Sequence, residues 1–76
     1  MKELLTYIAE GLVTKPEAVS VTEVLKGDTI VLELRVDPSD MGRVIGRNGR
    51  IAKDIRTLIK SVGSRDNVKV LVDIVD

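Results

Sequence analysis

The sequence predicts an α+β domain in which three helices cover one face of a three-stranded sheet, in the order α-β-β-α-α-β. Three observations lead there. Apolar residues return at three- and four-residue spacing in two segments, Met1 to Leu12 and about Arg50 to Val62. Three other segments are rich in β-branched residues and alternate in polarity, as half-buried strands do. Between them, a short stretch opens on Asp37-Pro38 and stops at Gly46, room for one brief helix. A chain of 76 residues makes one domain.

Met1 to Leu12 forms the first helix because Met1, Leu4, Leu5, Ile8 and Leu12 share a face. Tyr7, the single aromatic residue, falls off the centre of that stripe. Gly11 loosens the end, and Lys15-Pro16 stops continuation, since proline lacks an N–H and clashes with the preceding turn. Val19 to Leu25 reads as a strand, with Ser20 and Thr22 on the alternate face. Lys26-Gly27-Asp28 is a tight connection, so the next strand, Thr29 to Val36, returns antiparallel as a hairpin. It sets Ile30, Leu32, Leu34 and Val36 inward, with Glu33 and Arg35 outward.

Asp37-Pro38-Ser39-Asp40 is a helix start: Asp37 is the N-cap, Pro38 takes the first helical position, and Asp40 sits three residues after the cap. The following helix is the best patterned element. At about 100° per residue, Ile51, Ile55, Leu58, Ile59 and Val62 form one face, and Arg50, Lys53, Arg56 and Lys60 lie nearly opposite. Gly63 is its expected cap. Asn67 to Val75 closes the chain as a strand with Val68, Val70, Val72 and Ile74 on one face. Val31, Leu71 and Val75 fall on the outward phase, an apolar contact surface for a protein partner.

Composition excludes much. Cysteine and histidine are absent, which removes disulfides, thiolate metal sites and the usual general base. Gly46-Arg47-Asn48-Gly49 lacks the Lys-Ser/Thr that a phosphate-cleaving loop needs after its glycine. Asp37 and Asp40 are too thin a ligand set for a metal, and capping accounts for them. No enzyme activity and no cofactor are expected. Apolar runs are too short to span a membrane, and no start of the secretory kind is present. A soluble cytoplasmic protein is the expectation. One tyrosine cannot supply the aromatic platforms on which other single-strand readers stack bases.

Net charge is zero, yet its distribution is uneven. Residues 43–60 hold Arg43, Arg47, Arg50, Lys53, Arg56 and Lys60 against the single acid Asp54, so a cationic patch sits on an acidic body. Such a patch attracts a polyanion in one place and repels it elsewhere. Gly46 stands where the short helix ends and can take a positive φ. Gly49 opens the next helix, whose first amides lack intrahelical partners and carry partial positive charge. Arg47 and Asn48 project between the glycines. The arrangement suits a phosphodiester backbone laid against bare N–H groups.

Val44-Ile45-Gly46-Arg47-Asn48-Gly49-Arg50-Ile51 resembles the GXXG signature of the KH domain, whose loop clamps about four backbone nucleotides. Val31 to Val36, the Asp37-to-Gly42 turn, the GXXG helix pair and the closing Val68 to Asp76 together look like the small bacterial single-KH RNA-binding family (KhpA). The resemblance implies the type II KH order with a three-stranded mixed sheet. It implies single-stranded RNA as ligand, single-stranded DNA being the alternative, with Gly46, Arg47, Asn48, Gly49, Arg50, Arg43 and Lys53 as contacts. Val44 and Ile51 are implied to line the base groove, plain core packing being the competing role for each. It further implies chaperone-like action, a homodimer or a complex with a second KH-containing protein (KhpB), and a role in cell elongation and envelope growth. A KH fold used for docking or dimerisation, with little RNA binding, is the rival reading.

Overall fold

Hairpin and crossover together build the sheet. The computed structural model describes residues 1–75; Asp76, the last residue of the closing segment that carries the family resemblance, lies outside the described residues. Strand β1 (Ser20–Lys26) pairs antiparallel with β2 (Thr29–Arg35), Lys26 opposite Thr29, so Gly27 and Asp28 alone make the turn. Gly27 takes φ +62°, as such two-residue turns require. β2 also pairs with β3 (Lys69–Val75), in parallel, from Thr29↔Lys69 to Arg35↔Val75. The sheet is therefore mixed, with β2 central. A parallel neighbour needs a long crossover, and that crossover carries α2 (Met41–Ile45) and α3 (Arg50–Arg65), while α1 (Lys2–Leu12) precedes the hairpin.

All three helices lie on one face. Leu5 and Ala9 from α1, Leu32 and Leu34 from β2, Val44 from α2, Ile55 and Ile59 from α3 and Val70 and Val72 from β3 make the buried core. Each such aliphatic side chain contributes about 1.5–3 kcal/mol by leaving water. The strand alternation read from the sequence holds in β2 and β3: Leu32, Leu34, Val70 and Val72 are buried, and Arg35, Leu71 and Asp73 are exposed.

Two details of α3 depart from expectation. The helix does not stop at Gly63 but runs to Arg65. Asn67, at φ +59°, is the left-handed residue that ends it; Val68 N–H reaches Gly63 O at 2.8 Å and Asn67 N–H reaches Ser64 O at 3.1 Å. That bond pair is a Schellman closure with Asn in the usual glycine position. Gly63 is instead a packing residue: a Cβ there would lie 2.8 Å from Val68 O and 2.8 Å from a Val70 methyl. Second, Leu58, expected in the buried face, is 47% exposed. It lies about 100° round the helix from Ile59, on a flank that no other element covers, so the apolar stripe is wider than the contact.

The helix start at Asp37 also divides its labour differently. Asp37 accepts from Ser39 N–H at 3.0 Å and so caps a single 3-10 turn, Pro38–Asp40, that leads into α2. Asp40 plays no part in that cap; its carboxylate turns toward the linker after α1.

Candidate nucleic-acid interface

The loop joining α2 to α3 owes its shape to backbone geometry that side chains would disfavour. Gly46 has φ +76° and ψ 175°, a region essentially closed to residues with a Cβ. Its N–H closes α2 on Gly42 O at 2.9 Å. A Cβ at Gly46 would come within 2.5 Å of Ile51 Cγ1. Asn48 (φ +58°) and Gly49 (φ +73°) then turn left-handed in succession before α3 begins. Nothing lies within 4 Å of where a Cβ on Gly49 would stand, so that side of the loop is open. No side chain caps the first turn of α3; Gly49 N–H donates to Gly46 O at 3.2 Å and Arg50 N–H to Arg47 O, so the positive end of the helix is closed by the loop's own backbone at those two amides.

The structure brings most of the predicted site residues to this loop. Arg43, Arg47, Asn48, Arg50 and Lys53 are exposed around it, and Gly46, Gly49 and Ile51 are half-buried. Val44 is fully buried in the core cluster, so its part is packing rather than contact with a ligand. Ile51 packs against that cluster and against Gly46 while keeping part of its surface in solvent, and Ile45, exposed just before Gly46, is a second apolar residue at the loop.

The charges are poised rather than spent. Among the described residues, Arg47, Arg50, Lys53, Arg56 and Lys60 have no carboxylate within 4.0 Å. An ordinary exposed helix mixes signs so that neighbours three or four apart can pair; this one offers only Asp54. Arg56 is oriented by its Nε donating to Val72 O at 3.2 Å, which sets the guanidinium over the free edge of β3.

Asp40, whose place three residues after Asp37 suggests part of a helix start, is a positioning residue. Its side chain is 1% exposed. Oδ1 accepts from Thr14 N–H at 3.1 Å and Thr14 Oγ1 at 2.9 Å, and Oδ2 accepts from Lys15 N–H at 3.1 Å. Arg43 Nε stands 3.5 Å from Oδ1. Burial pushes this carboxyl up, but the Thr14 and Lys15 donors and the Arg43 charge outweigh it and hold the carboxyl below its usual value. The bonds tie the linker after α1 to the helix that precedes the loop. Nothing in the sequence signals a partner 26 residues away.

A family model described as "KhpA/KhpB, KH domain" matches residues 2–74. The RNA-binding protein KhpA of Clostridium perfringens is 56% identical over 75 residues, covering 99% of this chain and all of that protein. KhpA of Chlamydia trachomatis is 53% identical over 76 residues, spanning the whole chain and 97% of that protein. KhpA of Aquifex aeolicus is 38% identical over the same 76 residues. Among solved structures, an Era variant from Aquifex aeolicus bound to GDP and aluminium fluoride superposes with a TM-score of 0.67 at 19% identity, over 96% of this chain and 28% of that one. At that identity the likeness speaks for the fold alone.

Proposed function

The chain belongs to the KhpA/KhpB family of KH domains, a family without enzymatic activity, and we propose from that premise that it binds single-stranded RNA through the Gly46–Gly49 loop. The loop receives phosphates on the amide end of α3, Arg47 and Arg50 supply charge, and Asn48 offers both a donor and an acceptor. Arg43 and Lys53 flank the path. Ile51 and the exposed Ile45 meet the bases. What carries the reading is the pairing of an open, glycine-shaped loop with five cations, Arg47, Arg50, Lys53, Arg56 and Lys60, that no carboxylate among the described residues pairs.

Fluorescence anisotropy with short single-stranded RNA tests it. Arg47→Asp combined with Asn48→Asp is expected to abolish binding and leave the melting curve unchanged, because both side chains are exposed. Wild-type affinity should fall with salt at a slope of about −0.7 per phosphate contact. Binding by the double variant equal to wild type sinks the loop as the clamp. The matching DNA oligonucleotide separates RNA from single-stranded nucleic acid in general, since only the 2′-hydroxyl differs in the sugar.

One loop holds few nucleotides, so joining two grooves raises avidity without new chemistry. The open sheet face favours a second copy. Directly opposed residues share a face, and here they form four rows: Ser20, Arg35 and Val75; Thr22, Glu33 and Asp73; Val24, Val31 and Leu71; Lys26, Thr29 and Lys69. A two-fold axis along the Val24, Val31 and Leu71 row reverses the strands, stacking apolar row on apolar row and setting Asp73 against Lys69 across the axis. Light scattering is expected to show a dimer that Leu71→Asp dissolves. A dimer that survives Leu71→Asp but not Leu58→Asp moves the contact to the exposed flank of α3, and a strict monomer removes it. A KhpB-type partner is the other route to two grooves, supported by the shared family of the two proteins. On that resemblance the reading extends to RNA chaperoning and post-transcriptional control in cytoplasmic cell elongation and envelope growth. A deletion strain should regain normal length with the wild-type chain and not with the loop double variant.

A further inference from the structure

A crevice of about 570 Å³ lies at the far end of α3 from the loop, lined by Lys60, Ser64, Asn67, Lys69, Val70 and Leu71 among others. Lys60 stands ten residues beyond Arg50, so about 15 Å along the helix at about 1.5 Å per residue. Lys53, Arg56 and Lys60 share one flank of α3, within roughly 60° of arc at about 100° per residue. Arg56 identifies that flank as the one facing β3, by its bond to Val72 O. Asp54, the acid nearest in sequence, projects from the other flank. The cations thus form a line from the loop to the crevice. At its end Lys60 has no acid partner among the described residues, and Lys69 pairs with Asp28, at 3.2 Å with 73% and 78% of the two side chains exposed. A pair so open to water is readily exchanged for a phosphate. Leu71, 56% exposed, gives the crevice an apolar wall.

We propose that this crevice is a second phosphodiester site, in which Lys60 and Lys69 hold the backbone of the RNA strand after it leaves the loop and the apolar wall receives a base or ribose. The proposal rests on the loop reading above and takes Lys69 and Leu71 as open to RNA, in place of the two-fold contact that would cover them; it extends the bound length past the roughly four nucleotides of a KH loop.

The test is anisotropy with uridine oligonucleotides of four, six and eight residues. It uses the wild-type chain, Lys60→Ala with Lys69→Ala, and the Arg47→Asp/Asn48→Asp loop variant. At about 0.1 M salt each added phosphate contact is worth roughly fivefold in affinity, so wild type should gain at least that from four to eight residues. The lysine variant, folded by circular dichroism, should bind the four-mer within about twofold of wild type, lose the length gain, and show a salt slope on the eight-mer reduced by about 0.7 to 1.4. A wild-type affinity independent of length overturns the proposal. So does a lysine variant that keeps the gain, or one that weakens the four-mer as much as the eight-mer. A loop variant that binds every length like wild type removes the loop reading instead, an outcome the lysine variant cannot mimic.

Discussion

Replacing Gly46 by alanine should cost the fold far more than the same change at Gly49, although both glycines have positive φ. At Gly46 the backbone sits at φ +76°, ψ 175°, which for a residue with a Cβ costs about 1–3 kcal/mol. The new methyl would also stand 2.5 Å from Ile51 Cγ1, 2.8 Å from its Cβ and 2.9 Å from its Cδ1. Ile51 packs against the core and is branched at Cβ, so it has few rotamers into which to retreat. Overpacking of this kind costs about 1–3 kcal/mol more. The two effects add to about 4 kcal/mol, a large share of the 5–15 kcal/mol typical of a domain. At Gly49 the methyl meets nothing within 4 Å, and only the left-handed backbone is penalised, by about 1 kcal/mol. Urea unfolding followed by circular dichroism measures both. At about 4–8 °C per kcal/mol for a domain of this size, Gly46→Ala should melt about 15–30 °C below wild type and Gly49→Ala within about 10 °C. Gly46→Val should be worse than alanine. Gly49→Val, if it folds, should bind RNA more weakly, because its side chain occupies the phosphate approach. A Gly46→Ala protein within about 1 kcal/mol of wild type would mean that the loop can rebuild itself, and that its shape is not imposed by this glycine.

Gly63→Ala reverses the usual helix rule. Alanine normally stabilises a helix interior by up to about 1 kcal/mol over glycine, but here its methyl would lie 2.8 Å from Val68 O and 2.8 Å from a methyl of Val70 in β3, and a loss of about 2 kcal/mol in the same urea assay is expected. Asp40 gives the pH dependence. Its folded carboxyl lies below the usual value, so its contribution is present at neutral pH and is lost as pH falls below about 3.9 toward the folded value. Asp40→Asn should lower the melting temperature at pH 7 and flatten the acid limb of a melting-temperature-versus-pH curve; an unchanged acid limb refutes the role. Thr14→Val should follow it in part, since one of the donors to Oδ1 is the Thr14 hydroxyl. Raising salt from 0.05 to 0.2 M should weaken RNA binding by about 2.6-fold per phosphate contact, and a salt-independent affinity would argue against the cationic stripe.

Periodicity, with the placement of proline and glycine, determined the element order, the inward faces of β2 and β3, and the place of the loop. Each follows from one local rule: a two-residue alternation, a 3.6-residue repeat, or a proline and a glycine at the ends of a short helix. The cationic patch was equally legible, because charge along one helix flank needs only sequence and a helical turn. Tertiary structure decided the rest. Gly63 reads as a stop signal until β3 is laid across α3; its lack of a side chain is then seen to let a strand approach, and Asn67 ends the helix. Leu58 reads as core because a helical stripe records which residues could be buried, while the neighbouring elements decide which are. Asp40 reads as a cap, yet its partners Thr14 and Lys15 come from the other side of the hairpin in sequence. Lys60 and Lys69 meet at one crevice only because β3 returns beside α3 in parallel with β2. Local sequence sets conformation and charge, since both are properties of neighbours along the chain. Contacts between segments depend on which surfaces the completed sheet and helices bring together, and that is fixed only when the chain has closed on itself.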